Sequence, residues 1–479
     1  MSKDPATQFV KKLLSFSSST FIGFIISFIS TPVISRLFLP SEMGKINLFF
    51  TYVNLFVSIA YLGMDQTYVR FNYDSEDKNF KNRIMSFCLK VSLCAAGVIS
   101  LGLILFRNQI NVLITGIDGS YIAICMAVVI ISDIFLRFSN LKLRVEQKAL
   151  LYTVQALMIT TLKKIVYAGA AIVTPNHFVA IVLVTVCFAI TTVAFFAINL
   201  RKGFVLKTNI EPSLAKDIFK FALPIIPITL LAQLNSSIAN ILIRNYATFT
   251  EIGVFSAAAS LAAIINLLQT GFNTYWTPYV YENYEHHQHR IQKVHRIMAF
   301  AMVAFALCII MGQDVLYLLL GENYRASRSF FPFLLVMPVC YTISETTGVG
   351  INIAKKSYLN IITFAVNFTV NILVAVILLP IIGVAGAAIA VAAAGISMFV
   401  VRTLISEKYY KCMTKPIKTW SALIILLLAA FLNLFIFDLI IIKTIVYLAL
   451  LALLVLIFRS EFKILFGFGT RVLKKLFVK

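Results

Sequence analysis

Charge is scarce in this sequence. Only 13% of its 479 residues are charged, and 20 of those are acidic against 42 basic. A soluble domain carries about 25%. With 60% hydrophobic residues and a mean hydropathy of +0.91, the chain has too little polar surface to cover a soluble globule. No Gly-x-x-x-x-Gly-Lys-Ser/Thr stretch is present, so the chain shows no P-loop for ATP. No segment between apolar runs is long enough for a soluble domain, which argues against an enzyme built on a sugar-nucleotide domain or a large extracytoplasmic loop. The seven cysteines are odd in number, form no Cys-x-x-Cys pair and sit mostly within apolar runs. They read as small hydrophobes rather than a disulfide or metal framework, and no cofactor is implied.

Long apolar runs fill the chain, each near the ~20 residues that cross a ~30 Å hydrocarbon layer. The pattern predicts an all-α integral membrane protein of about fourteen spans: 14–36, 46–69, 84–106, 120–141, 152–174, 178–200, 218–243, 252–275, 297–320, 330–353, 358–380, 383–405, 419–439 and 441–459. Lys3, Lys11 and Lys12 precede the first run, which continues past Thr31 without a small-residue cleavage pattern. It is read as a retained helix rather than a signal peptide. Placing the N-terminus in the cytoplasm puts 33 of the 42 lysines and arginines on cytoplasmic segments and 7 outside; only Lys163 and Lys164 fall mid-span. Every second loop is therefore basic, which predicts both termini inside. The formal charge of +22 follows from those loops, without a nucleic-acid partner. The tail "RVLKKLFVK" reads as a basic surface helix on anionic lipid.

"SRLFLPSEMGKINLFFTYVNLF" from Ser35 resembles "IRNYATFTEIGVFSAAASLAAI" from Ile243: Arg36 matches Arg244, Glu42 matches Glu251 and Gly44 matches Gly253. An internal duplication of six helices follows, giving halves at 1–207 and 208–411, with two further helices and a basic tail in 412–479. Six is even, so the repeats run parallel across the membrane, an arrangement that places a substrate site at their interface.

Polar residues recur at helical spacing within several spans. Thr51, Asn54, Ser58, Tyr61 and Asp65 share one face; Gln233, Ser236, Ser237, Asn240 and Arg244 share another; Asp133, Arg137 and Asn140 a third. Tyr341, Ser344, Glu345, Gly348 and Asn352 form a fourth, and Asn360, Thr363, Asn367 and Asn371 a fifth. Each set taken singly is explained by hydrogen bonding between packed helices. Together they fit a shared water-filled cavity. Asp133 and Arg137, at i and i+4, read either as a mutually neutralising pair or as cavity groups. Asp65 and Arg70 stand near a cytoplasmic helix end, and Glu345 lies deep without an obvious partner. Asp65, Asp133 and Glu345 are the candidate ion-coupling carboxylates. Lys163 and Lys164 lie too deep to reach the interface, so at least one is expected to face a cavity; a misplaced helix start is the alternative. Pro224 and Pro227 read equally as a bend or a gating hinge. "EHHQHRIQKVH" from Glu285 reads as a solvated basic loop rather than a metal site.

The duplicated six-helix halves plus two helices, the pair "PSEMGKINLF" and "TEIGVFSAAASL", and "NIAKKSYLNI" after the tenth span together resemble the polysaccharide flippases of the multidrug/oligosaccharidyl-lipid/polysaccharide exporter superfamily. The O-antigen and capsule-repeat flippases are the nearest members. The resemblance implies a MATE-like fold in a bacterial or archaeal cytoplasmic membrane. It also implies movement of a polyprenyl-diphosphate-linked oligosaccharide from the inner to the outer leaflet by alternating access. Membrane lipid, a polysaccharide polymerase and chain-length proteins would be partners. Cations would hold the diphosphate and polar side chains the sugars, giving Lys163, Lys164, Arg137, Asn54, Gln233, Asn240 and Arg244 as candidate substrate contacts. Trp276 and Tyr275 read as sugar-stacking groups or as interfacial packing. The competing readings are an ion-coupled multidrug exporter of the same fold, a membrane glycan-assembly enzyme, and a glycan scaffold without transport.

Overall fold

The structure is a computed structural model. It describes residues 22–467 except Phe24, Leu206, Lys207 and Asn209, and leaves out the side chains of Lys202, Thr274, Tyr275 and Thr277. The N-terminal lysines, the start of the first predicted span, the tail "RVLKKLFVK" and the Tyr275 ring therefore lie outside the description. Every regular element among the described residues is helical.

The helices are α1 (Ile25–Leu37), α2 (Pro40–Tyr61), α3 (Met64–Phe71), α4 (Lys78–Leu105), α5 (Arg107–Thr115), α6 (Tyr121–Val145), α7 (Ala149–Val173), α8 (His177–Phe195), α9 (Pro212–Ala222) and α10 (Ile225–Tyr246). They continue as α11 (Phe249–Ala262), α12 (Ile265–Asn283), α13 (Gln288–Met311), α14 (Gln313–Leu319), α15 (Phe331–Thr347), α16 (Val349–Ile353), α17 (Leu359–Ile382), α18 (Val384–Glu407), α19 (Pro416–Ile436) and α20 (Ile440–Ile457). Among the described residues, 11 helical stretches are long and apolar enough to cross a membrane, or up to 13 if each of two bent pairs counts as one span. The expected fourteen is not reached by that measure, because α1 is short and its upstream residues are undescribed.

The chain forms two compact units: Met1–Ile241 with Thr248–Gly253, and Leu242–Ala247 with Val254–Lys479. In the first, α6 is the central helix, packing against α2, α4, α7 and α8. Its apolar residues Ile122, Met126, Ile130 and Ile134, at the i, i+4 spacing of one helix face, are fully buried in that core. The predicted span 46–69 is not continuous. Leu62 and Gly63 both take left-handed conformations (φ 48° and 70°), which end α2 and restart the chain as α3. A side chain at Gly63 would be strained at that φ and would meet the Ala222 carbonyl oxygen at 3.0 Å. The proline-containing stretch is also broken: α9 ends at Ala222 and α10 begins after Pro224, yet the two pass together as one 35-residue span.

The segments matched in the sequence meet within the first unit. A Cβ on Gly44 would lie 1.9 Å from the Phe249 carbonyl oxygen, and a Cβ on Gly253 2.0 Å from the Pro40 carbonyl oxygen. Pro40 and Gly44 stand four residues apart, as do Phe249 and Gly253, so the contact is reciprocal, as a local two-fold relation between repeats requires.

In the second unit, α15 and α17 pack against α18, whose sequence "VAGAAIAVAAAG" supplies a face of small residues. Gly386 sits against the Leu378 backbone and Gly395 against Met337. The last two helices are tied in by polar contacts at both ends. At one end the buried Asn433 side chain accepts from Gln313 (2.6 Å) and Tyr447 (2.8 Å) and donates to the carbonyls of Arg328 and Ser329. Buried Lys443 donates to Asp314 at 2.5 Å, and Arg328 bridges Asp314 and Asp438. At the other end Glu461 accepts from Arg296 and Lys418 (3.1 and 2.8 Å). Burial would raise the Glu461 pKa, but hydrogen bonds from Lys418 and Ser460 outweigh it and hold the group at about 2. Because the folded pKa is depressed, this contact stabilises the protein above the ordinary carboxylate range and loses its contribution as the pH falls toward 2.

Asn433→Leu is expected to strand the Gln313 amide and the Tyr447 hydroxyl, costing about 1–3 kcal/mol for each unsatisfied group. Thermal unfolding in detergent checks this; an unchanged midpoint would show that the network does not secure α19 and α20.

Candidate functional site

The first unit carries five of the predicted charges on three helices, α3, α6 and α7. The α2–α3 break turns Asp65 inward, where it is 5% exposed and accepts from Arg137 at 2.8 Å. One turn earlier, the Tyr61 hydroxyl donates to Asp133 at 2.6 Å. Both rungs join residues 72 apart in sequence. A constant separation means that α2–α3 and α6 run in the same direction, as alternation requires of a second and a fourth span. Of the two readings their i, i+4 spacing allows, Asp133 and Arg137 do not hydrogen-bond each other as a pair; each bonds a group on α2 or α3. The Arg137 guanidinium also lies 5.8 Å from the Tyr61 ring centroid.

Lys163 stands 14 residues after the start of α7 and 10 before its end, so the depth inferred for it does not come from a misplaced helix start. Its ammonium lies 3.8 Å from the Phe50 ring centroid on α2 and 5.4 Å from that of Phe188 on α8, near enough to Asp133 to interact electrostatically. The π faces and the carboxylate stabilise the cation without the hydration it would have in water. Lys164, half-buried, has no hydrogen bond or ion pair among the described residues.

The Asp65–Arg137 end of the cluster lines a pocket of about 580 Å³, together with Arg70, Arg144, Tyr73 and Phe221 among others. Three guanidiniums and one buried aspartate line it; Arg137 bonds Asp65, and Arg70 bonds Asp74 at 2.5 Å. A pocket of this size suits a small anionic headgroup, and guanidinium is the geometry of choice for bidentate phosphate contact. Arg70 and Arg144 were counted in the sequence only as cytoplasmic charges. The available signal was the i, i+7 spacing of Arg137 and Arg144, which puts them on one face of α6.

The remaining predicted contacts scatter. Asn240 donates to Thr51 at 3.0 Å, joining α10 to α2. Gln233 donates to Ser237 on its own helix at 3.1 Å, and Asn54 is exposed on α2. Arg244 lies at the end of α10, in the segment grouped with the second unit. Glu345, also in the second unit, is not the lone carboxylate expected: Arg402 of α18 donates to it at 2.8 Å and to Ser344 at 3.0 Å. Glu345→Gln is expected to destabilise the protein by roughly 3 kcal/mol by leaving the Arg402 charge without its counter-ion, with Glu345→Gln/Arg402→Met recovering part of the loss. Equal unfolding midpoints for wild type and Glu345→Gln would contradict that.

Trp276 donates to the Glu345 carbonyl oxygen at 3.0 Å and stacks with Phe272 and Tyr279, as packing. His295 is buried between the hydroxyls of Thr346 and Thr419 (2.7 and 2.9 Å), and among the described residues no group of three or more His, Cys, Asp or Glu could hold a metal.

Residues 9–283 match the family described as "Polysaccharide biosynthesis protein". The chain belongs to that family. Among solved structures, the lipid II flippase MurJ in an inward closed conformation has a TM-score of 0.65 at 14% identity, over 92% of this chain and 98% of MurJ. An inward-facing multidrug resistance MATE family transporter of the MOP superfamily has a TM-score of 0.60 at 16% identity, over 83% and 97%. A MOP superfamily transporter from Pyrococcus furiosus, described as having a binding pocket of reverse polarity, has a TM-score of 0.51 at 16% identity, over 83% and 95%. No curated protein sequence matches the chain. At these identities the structural likeness is one of fold. The chain is a multi-pass membrane protein with the fold of MOP transporters, and the resemblance to the superfamily's polysaccharide flippases is borne out.

Proposed function

We propose that this protein flips polyprenyl-diphosphate-linked oligosaccharide repeat units from the cytoplasmic to the outer leaflet of a bacterial or archaeal cytoplasmic membrane for surface polysaccharide synthesis. The observation that carries the proposal is the arginine-lined pocket at the Asp65–Arg137 bond, with the half-buried Tyr61–Asp133 bond one turn away and Lys163 beside Asp133. Arg70, Arg137 and Arg144 offer the diphosphate charge-assisted bonds, and Lys163 provides the next cation deeper in the helix bundle. Asn54, Gln233 and Asn240 offer the glycan polar partners, and the cargo crosses by alternating access while the lipid tail stays in the bilayer. A cationic drug would need free carboxylates; Asp65 and Asp133 are already bonded to Arg137 and Tyr61, which favours the anionic cargo over multidrug export. Glu345 remains a candidate for ion coupling only through its bond to Arg402.

Binding separates the two cargoes. A short-chain polyprenyl-diphosphate oligosaccharide is expected to raise the unfolding temperature of the purified protein, since a ligand at a hundred times its Kd adds about 2.7 kcal/mol of stability. Stabilisation by cationic dyes and none by the diphosphate lipid would favour the exporter.

A further inference from the structure

A second pocket of about 770 Å³ lies in the first unit, apart from the arginine-lined one. It is framed by the start of α4, the α6–α7 connection and the stretch 198–203. Lys78, Lys81, Lys142 and Lys148 line it with Glu76 and Glu146. The glutamates neutralise two of the four lysines: Glu76 pairs with Lys81 at 2.9 Å and Glu146 with Lys148 at 2.7 Å. Lys142 is held by a neutral group, the Asn199 carbonyl oxygen, at 2.6 Å, and Lys78 has no carboxylate within ion-pair distance among the described residues.

Lys142 is positioned by its surroundings. Asn199 is fixed by its side-chain bonds to Ser139 (2.9 Å) and Gln155 (2.7 Å). Gly203 has no side chain to block the approach; a Cβ there would come within 2.8 Å of both the Lys142 ammonium and the Asn82 amide oxygen. Leu151 and Ile198 also line the pocket, and both are exposed, at 53% and 68%. Two cations with no carboxylate in ion-pair contact, beside exposed apolar side chains, match an amphiphile with an anionic head.

We propose that this pocket binds the phosphate group of an anionic lipid from the cytoplasmic leaflet, with Lys78 and Lys142 on the phosphate and the acyl chain against Leu151 and Ile198. The site is separate from the translocation pocket and does not depend on the cargo proposed above. A basic cleft between helices at the headgroup level is suited to such lipids, and each lysine near the surface contributes to the attraction.

The test is native mass spectrometry of the full chain released from nanodiscs of phosphatidylglycerol and phosphatidylcholine, with soluble pyrophosphate in detergent as a separate arm. Wild type is expected to retain phosphatidylglycerol selectively, and Lys78→Gln/Lys142→Gln to lose about tenfold of that retention. Lys216→Gln, the same charge change on exposed α9, should leave it unaltered. Lys78 is exposed at a helix start, so Lys78→Gln alone gives a folded variant with a smaller loss in the same direction. Pyrophosphate binding that is lost in the double variant, without lipid retention by wild type, would support the phosphate site and assign it to a soluble ligand. Retention that is equal for both lipids, or equal in wild type and the double variant with no pyrophosphate binding, would overturn the proposal.

Discussion

Replacing Lys163 and Lys164 together with glutamine is expected to lower translocation of a diphosphate-linked lipid at least about tenfold at matched membrane abundance. A lysine at mid-membrane costs at least about 2.5–3.5 kcal/mol on insertion scales. Phe50, Phe188 and Asp133 offset part of that cost for Lys163, but a purely structural position would be filled more favourably by leucine. The charge is worth keeping if an anion passes it. Outward movement of an anionic headgroup is also assisted by an inside-negative potential, by about 2.3 kcal/mol per charge at 100 mV. A bound lysine cancels part of that charge, so the site must hold the headgroup weakly enough to release it. Lys163→Met separates the roles: it should keep or raise thermal stability while translocation falls. Normal translocation by the double glutamine variant would remove both lysines from the mechanism.

Gly44→Ala is expected to open the contact between α2 and the start of α11. The added methyl would lie 1.9 Å from the Phe249 carbonyl oxygen, and backbone cannot rotate away as a side chain can. Overpacking costs typically 1–3 kcal/mol, roughly 5- to 150-fold in the population of the closed contact. The Lys45 ammonium sits 5.7 Å from the Phe249 ring, so cysteines at these two positions, with the native cysteines replaced, should crosslink readily. Crosslinking should fall in the Gly44→Ala background and, by the reciprocal contact of Gly253 with Pro40, equally in Gly253→Ala. Undiminished crosslinking in both would show that the glycines are not required for close approach.

The helical membrane class was legible in the sequence because apolar run length and alternating Lys/Arg loops are local signals that report the same thing. The matched glycines Gly44 and Gly253 both stand where the two segments come too close for a side chain. The α2–α3 break could not be read, since "YLGMD" carries only one glycine and the other left-handed residue is Leu62, a side chain that disfavours that conformation. Charge pairing was the main failure. The helical i, i+4 rule suggested Asp133 with Arg137, but Tyr61 and Asp65 approach from another helix 72 residues away and take both. Arg402 reaches Glu345 across 57 residues, from the cytoplasmic end of the predicted span 383–405, now α18. Such pairings depend on how helices pack, which single-helix periodicity does not specify.

The most direct measurement is translocation itself, in vesicles containing the purified protein and a fluorescent polyprenyl-diphosphate oligosaccharide loaded in one leaflet, with leaflet exposure read by a membrane-impermeant quencher or glycosidase. Time-dependent appearance in the opposite leaflet should require the protein and should fall when Arg137 and Lys163 are both replaced by glutamine. No protein-dependent movement of the diphosphate lipid, together with efflux of cationic drugs from the same vesicles, would contradict the account.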